Sequence, residues 1–120
     1  MALPLGDWSI NGNGYTGVLH IASENNGAVT GTLTMANEPP DQLNNNIAFW
    51  NDTSKELRLI RARNPADPST FEIYTGFLFP ENHAQPNNGR SELAGYFEAF
   101  TDSGGSPSRS LFGWFASHTA

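Results

Sequence analysis

Aromatic rings are the side chains of this sequence whose chemistry points most directly to a ligand. Five residues could line a pocket at the open end of a small fold: Trp8, Trp50, Tyr74, Tyr96 and Trp114. Tyr and Trp rings that reach such an opening can stack on a flat ring or on a sugar, and their polar atoms can hydrogen-bond to it. The same rings could instead fill the core or contact another subunit, since large aromatic side chains are usually buried.

Two arginines form the second candidate group, in the segment ELRLIRAR at positions 56–63. The segment could be a short helix, but it ends at a proline-rich loop, and we predict a strand. In a strand, alternate residues place Arg61 and Arg63 on the face of the two leucines, pointing toward the interior or its mouth. They could then bind an anionic head group, pair with Glu72 or Glu98 on a neighbouring strand, or remain exposed.

No arrangement of residues in the sequence supports catalysis or a resident metal. There is no cysteine, which removes thiolate metal sites and cysteine nucleophiles. The three histidines, His20, His83 and His118, are too scattered for the converging ligands that zinc requires. The sequence contains no Gly-x-Ser-x-Gly elbow and no phosphate-binding loop that leads into a helix. We predict a protein that is not an enzyme and that has no metal or cofactor.

Length and charge narrow the remaining classes of function. A chain of 120 residues favours one domain, which we place at 1–120. The formal charge of -6, with only 6 Lys and Arg, argues against nucleic acid, which needs clustered positive charge. No apolar run is long enough to span a membrane, and no basic-then-apolar start resembles a signal peptide. The compartment stays open between cytoplasm and a secreted mature form.

The elements that must position these residues are strands joined by turns. Asn-Gly pairs in Asn11–Gly14 and Asn25–Gly27 separate alternating runs, which is a strong hairpin signal. In the third run, Val29 to Met35, apolar residues alternate with outward threonines. We predict eight strands: Gly6–Asn11, Tyr15–Ala22, Ala28–Met35, Ile47–Asn51, Glu56–Arg63, Thr70–Phe79, Ser91–Phe100 and Ser110–Thr119. Residues 36–46, 64–69 and 81–90 are predicted as loops, and 102–107 as a flexible connection.

Eight meandering strands close into a small barrel, so the predicted fold is an all-β, eight-stranded antiparallel up-and-down β-barrel. Its last strands are apolar on both faces: Leu111 and Phe115 take one side, Phe112 and Trp114 the other. A barrel wall that faces water should alternate apolar and polar residues. We therefore expect another subunit to cover this wall, which makes a homo-oligomer.

The sequence also resembles the avidin/streptavidin family, within the calycin group of barrels. Segments that carry the resemblance are Gly6-Asp7-Trp8, Gly27-Ala28-Val29-Thr30-Gly31-Thr32, Ala48-Phe49-Trp50-Asn51, Tyr74-Thr75-Gly76 and Leu111-Phe112-Gly113. The resemblance covers most of the chain, with its specific part in the first thirty residues. It implies the eight-stranded barrel and a tendency to oligomerise.

The residues with which that family holds biotin are mostly not matched. Asn11 stands for the family's Asn, but one residue further from Trp8, and a shift of one residue turns a side chain to the other face unless a bulge absorbs it. Leu33 stands at the position of a Tyr and Phe115 at that of an Asp. A site that reads polar groups loses affinity steeply when partners are missing, so we do not extend tight biotin binding to this chain.

We predict non-enzymatic binding of a small molecule at the open end of the barrel. The candidate ligand-binding residues are Asn11, Tyr15, Trp50, Arg61, Tyr74, Tyr96 and Trp114. One alternative is a carbohydrate-binding module, which the Asn- and Gly-rich loops favour. Another is an assembly protein that binds a partner through its apolar outer wall. The expected partner is thus a small molecule or a glycan, together with further copies of the chain.

Overall fold

The protein folds into nine β-strands with no helix among the described residues. A computed structural model describes residues 3–38, 40–43, 48–62, 70–79, 90–103 and 105–119. The strands are β1 (Gly6–Gly12), β2 (Tyr15–Asn25), β3 (Ala28–Met35), β4 (Asp41–Leu43), β5 (Ala48–Asn51), β6 (Glu56–Ala62), β7 (Thr70–Phe79), β8 (Arg90–Ser103) and β9 (Ser106–Thr119). Within the described ranges no helix is present that could cross a membrane.

The strands close into a single antiparallel barrel. The order around the sheet is β2-β1-β9-β8-β7-β6-β5-β3-β4, and an additional pairing of β2 with β3 closes the ring. The short β4 and β5 both pair with β3, β4 at Gly31–Leu33 and β5 at Ala28. Because β4 and β5 occupy one position in the wall beside β3, the nine strands form a barrel of eight. The predicted eight-stranded antiparallel up-and-down barrel is confirmed.

Asn-Gly turns build the first two hairpins as the sequence predicts. Gly12 pairs with Tyr15, which leaves Asn13 and Gly14 as a two-residue turn. Their φ angles are 52° and 86°, and Asn26 and Gly27 in the next turn have φ angles of 50° and 93°. Positive φ at both central residues gives the twist that a tight antiparallel hairpin requires.

The interior is a continuous apolar core made by alternate residues of the strands. Val29, Leu33 and Met35 of β3 are buried, whereas the threonines between them are only partly so. The largest fully buried side chains are Trp8, Leu19, Ile21, Leu33, Leu43, Leu57, Leu59 and Leu93. These residues fill most of the barrel, and at one end the filling is incomplete. That end, called the mouth, is where β1, β3, β6 and β8 finish.

Two predictions about connections were wrong. In the range 102–107, predicted as a flexible connection, Asp102 and Ser103 continue β8 and pair with Pro107 and Ser106 at the start of β9. The predicted loop 36–46 contains a three-residue strand, β4, whose Asp41 pairs with Leu33. Strands β8 and β9 are therefore longer than predicted, and their hairpin reaches past the mouth. Arg63, His83 and the predicted loop at 64–69 lie outside the described residues, as do residues 81–89 of the loop predicted at 81–90, whose last residue, Arg90, begins β8.

Candidate functional site

The mouth of the barrel holds a cavity of about 460 Å³. Its lining comes from strand ends that meet there and from the turn after β3: Gly12, Asn13, Tyr15, Met35, Ala36, Glu38, Arg61, Glu72, Tyr74, Phe97 and Phe112. The turn is held against the barrel, since the Ala36 amide donates to the Thr16 carbonyl at 2.9 Å and the Glu38 amide to Met35 at 3.1 Å. The volume of the cavity falls within the usual range for small-ligand pockets.

Arg61 is the centre of the polar side of this cavity. It points inward because it follows Leu57 and Leu59 at alternate positions of β6, and only 8% of it is exposed. Its Nε donates to Asp41 Oδ2 at 2.6 Å and its Nη1 to Glu72 Oε1 at 2.9 Å, while Nη2 donates to Glu38. One guanidinium thus ties together a turn, β4 and β7.

The polar side of the cavity is acidic even with the arginine included. Three carboxylates around one guanidinium leave a formal charge of -2. Burial lowers the pKa of Arg61, but hydrogen bonds to Asp41 and Glu72 and the charges of both carboxylates raise it more, so this pKa lies above its ordinary value. Arg61 is therefore held in its charged form, and its charge is already neutralised by its own neighbours.

Aromatic rings form the floor of the cavity. Tyr74 is stacked on Phe97, with ring centroids 4.7 Å apart, and Phe97 contacts Phe112 at 5.2 Å. The Trp114 ring meets Tyr74 edge-on at 5.8 Å. Its indole N–H donates to the Tyr96 carbonyl at 2.9 Å and to the Thr75 carbonyl at 3.1 Å, which fixes its orientation. The floor is consequently rigid as well as apolar.

Tyr74 joins the aromatic floor to the acidic side. Its hydroxyl donates to Glu72 Oε1 at 3.1 Å, the same oxygen that accepts from Arg61. Burial raises the pKa of Tyr74 above its ordinary value, and the charge of Glu72 raises it further. The phenol is held neutral, so it acts as a hydrogen-bond donor and as an apolar surface.

Four of the seven predicted ligand-binding residues gather at this end. Tyr15, Arg61 and Tyr74 line the cavity, and Trp114 lies below Tyr74. Tyr15 stands at the rim, where 70% of it is exposed. Arg61 is paired with Glu72, one of the alternatives open from the sequence, and does not present a free positive charge to an anion.

The other three predicted residues lie elsewhere. Asn11, a predicted ligand-binding residue, points outward, and its Oδ1 accepts from the Gly14 amide at 3.0 Å within the first turn. It borders a wider, more open depression on the outer surface. Trp50 is buried toward the opposite end, where its indole N–H donates to Asp52 at 3.2 Å. Tyr96 lies on the outer wall and is 42% exposed.

Two positions that the avidin resemblance singled out are not in the cavity lining either. Leu33, at the position of the family's Tyr, is fully buried in the core. Phe115, at the position of its Asp, points outward and is 59% exposed. The polar groups of the mouth are thus a different set from those the resemblance implied.

The predicted ligand-binding residues did not include Glu38, Phe97 and Phe112, which line the cavity, or Asp41, which binds Arg61 from outside the lining. The two rings alternate with outward residues on β8 and β9, so strand parity could have placed them inside. Glu38 and Asp41 lie 23 and 20 positions from Arg61. Their position in the chain could have indicated them, because both follow shortly after β3, which ends at the mouth.

The described histidines do not form a metal site. His20 Nδ1 lies 2.6 Å from the Asp7 carboxylate, and His118 Nδ1 lies 3.0 Å from the Asp7 carbonyl oxygen. In the part of the chain that the structure describes, no three His, Asp or Glu residues converge as metal ligands.

Comparisons of this chain with protein-family models, with curated proteins and with solved structures gave no match.

Proposed function

We propose that this protein is a non-enzymatic binding protein that holds a small molecule in the cavity at the mouth of its barrel. The observation that carries the proposal is the combination of a rigid aromatic floor with an acidic side in one concave space. Pockets of this size with an apolar lining and a few convergent polar groups are the usual sites for small ligands.

The charges favour a ligand with a positive charge or several N–H groups and a flat apolar part. Glu72 lines the cavity, and the hydrogen bonds it accepts from Arg61 and from the Tyr74 hydroxyl both end at Oε1, so that Oε2 can accept from a ligand. A ring that rests on Tyr74 and Phe97 would gain stacking, and an ammonium group beside Glu72 or Glu38 would gain Coulomb energy. An anionic ligand would instead meet a formal charge of -2.

We propose a barrel of the kind that the avidin resemblance implies, with a different ligand. An up-and-down barrel with its site at the open end is what the resemblance implies. Biotin is not the ligand we propose, because it carries a carboxylate and because the acceptor-rich mouth differs from a site built around its ureido group.

Titration calorimetry with three matched probes tests this function. Tryptamine, tryptophol and indoleacetate share one ring and differ in charge. We expect tryptamine to bind most tightly and indoleacetate to have a dissociation constant roughly tenfold higher or more. The reason is that the carboxylates attract the positive charge of tryptamine and repel the negative charge of indoleacetate. The preference should shrink at high salt, because the cavity is open to solvent.

Two variants locate the effect at the mouth. Glu72→Gln removes one carboxylate and should reduce the preference for tryptamine. Asp102→Asn is the matched control, since Asp102 is an exposed residue of the hairpin outside the cavity lining and carries the same charge. Equal binding of all three probes, or equal effects of both variants, would contradict the proposal.

A glycan is the second candidate, and the exposed Tyr15 ring favours it. Carboxylates accept hydrogen bonds from sugar hydroxyls, and a ring at a rim can stack on a sugar face. Retention on immobilised neutral sugars that is lost in Tyr15→Ala, combined with no preference among the charged probes, would select this alternative.

A further inference from the structure

The outer faces of β7, β8 and β9 form an exposed apolar surface. Its large members, here called the apolar wall, are Phe77, Phe79, Tyr96, Leu111 and Phe115. Between 38% and 67% of each residue is exposed. By contrast, the outward residues of β3 are the threonines Thr30, Thr32 and Thr34. Other exposed apolar side chains, such as Val18 and Phe49, lie on other strands, whereas the wall groups five on three adjacent strands. A grouped apolar surface of this kind marks an interaction site.

The strand register arranges the wall as alternating large and small residues. Ala94 of β8 lies between Phe77 and Phe115 in one row across the three strands. In the next row the order is reversed, because Tyr96 lies between Thr75 and Gly113. Neighbouring side chains on a sheet stand about 5 Å apart, so each small residue is a depression next to a projecting ring.

This pattern is complementary to itself. A two-fold axis between Ala94 and Tyr96 would place Tyr96 of one copy over Ala94 of the other, and the reverse. Each projecting ring would then fill a depression on the facing copy. A surface that matches itself under a two-fold rotation is the requirement for an isologous dimer.

The charges that border the wall also suit a second copy. Arg90 is paired with Glu92 at 2.6 Å, and Arg109 with Glu98 at 3.8 Å. Four charges in two pairs give this border no net charge, although the chain carries -6 overall. A basic partner would find no excess of negative charge here, whereas two copies can meet without repulsion at the contact.

The exposed area is sufficient for a dimer. Side chains of this size offer roughly 100 Å² each at about half exposure, so five of them provide about 500 Å² per copy. The pair would bury about 1,000 Å², which is the lower limit for a specific interface before the border residues are added. We propose that the apolar wall is a face-to-face interface between two copies of this chain, centred on Ala94 and Tyr96. This interface is separate from the mouth cavity.

Sedimentation velocity on three proteins tests the interface. The wild-type chain should associate at micromolar concentrations, and Phe115→Asp should raise the dissociation constant by about tenfold or more, because it places a charge in the buried row beside Ala94. Phe49→Asp is the control, since Phe49 is 47% exposed on β5 and lies outside the wall. A folded wild type that stays monomeric in the tens of micromolar would overturn the proposal, as would equal effects of the two substitutions.

Cysteine cross-linking tests the position of the two-fold axis. The chain has no cysteine of its own, so a single substitution reports a single site. A mixture of Ala94→Cys and Tyr96→Cys proteins should form a mixed disulfide dimer faster than Phe49→Cys forms its own dimer. Cross-linking of Phe49→Cys at the same rate would show that the contact is random and would overturn the assigned axis. Binding of the indole probes at the mouth does not depend on either result.

Discussion

The indole ring of Trp114 occupies the space that a side chain at position 76 would need. A Cβ on Gly76 would approach Trp114 Cζ2 to 2.3 Å and Cη2 to 2.6 Å. Because the indole N–H is bonded to two carbonyls, the ring cannot turn away without losing both hydrogen bonds. The missing side chain of Gly76 therefore leaves the space that the Trp114 ring fills, and Trp114 in turn contacts Tyr74 on the floor of the cavity.

Gly76→Ala should destabilise the protein by about 1–3 kcal/mol, the usual cost of inserting a methyl group into a packed core. Gly113→Ala is the control, because the nearest atom to its added Cβ would be a carbonyl oxygen at 3.9 Å. The control should be neutral or slightly stabilising. Chemical denaturation at low protein concentration measures both. Equal stability of the two variants would mean that Trp114 is loosely held.

Arg61→Met should cost about 3 kcal/mol of unfolding free energy, because it leaves three partly buried carboxylates without their shared counter-ion. Arg58→Met removes an arginine that is 57% exposed and paired with Glu56 at 3.5 Å, and it should cost about 0.5 kcal/mol or less. Adding Glu72→Gln to Arg61→Met should recover part of the loss in a double-mutant cycle. Additive effects in that cycle would show that the pair is not coupled.

Tyr74 should make stability fall at alkaline pH. Its pKa in the folded protein is raised, so its contribution is complete below the ordinary value of about 10 and is lost as pH rises beyond it. The interval from about pH 8 to about pH 11 brackets that value. Across this interval the unfolding free energy of the wild type should therefore fall relative to that of Tyr74→Phe. Unfolding curves of both proteins at several pH values measure the difference. Parallel pH profiles would mean that the phenol is not held neutral by burial and Glu72.

Millimolar biotin should leave the thermal unfolding midpoint unchanged. A ligand present at a hundredfold excess over its dissociation constant would add about 2.7 kcal/mol to the unfolding free energy, which is easily detected. We expect no such shift, because Leu33 is buried in the core and Phe115 faces outward. A clear upward shift would show that other residues of the mouth recognise biotin.

Strand alternation made most of the fold predictable. The threonines of β3 and the leucines before Arg61 identified the inner face correctly, because a wrong parity would bury polar groups. The paired ends of β8 and β9 were not predictable in this way. Thr101 to Ser103 and Ser106 to Ser108 are polar or proline on both faces, and only their pairing across the hairpin makes them strands.

The site was partly predictable for the same reason. Parity placed Arg61 inside, and Tyr74 lies inside as well, but parity cannot say at which height in the barrel an inward side chain lies. Trp50 shares their inward direction and yet lies toward the other end, because β5 runs away from the mouth. The carboxylates around Arg61 come from a turn and from a strand of three residues, and neither has a periodic pattern in the sequence.

Nuclear magnetic resonance of the nitrogen-labelled protein tests the proposed site most directly. The chain has 3 tryptophans, and each gives one indole N–H signal. On addition of tryptamine, the Trp114 signal should shift in a saturable way together with the amides of Gly12, Tyr74 and Phe97. Trp8 and Trp50 are internal controls toward the other end, and their signals should not move. Shifts confined to the amides of Phe77, Tyr96 and Phe115, or no saturable shift, would contradict a ligand site at the mouth.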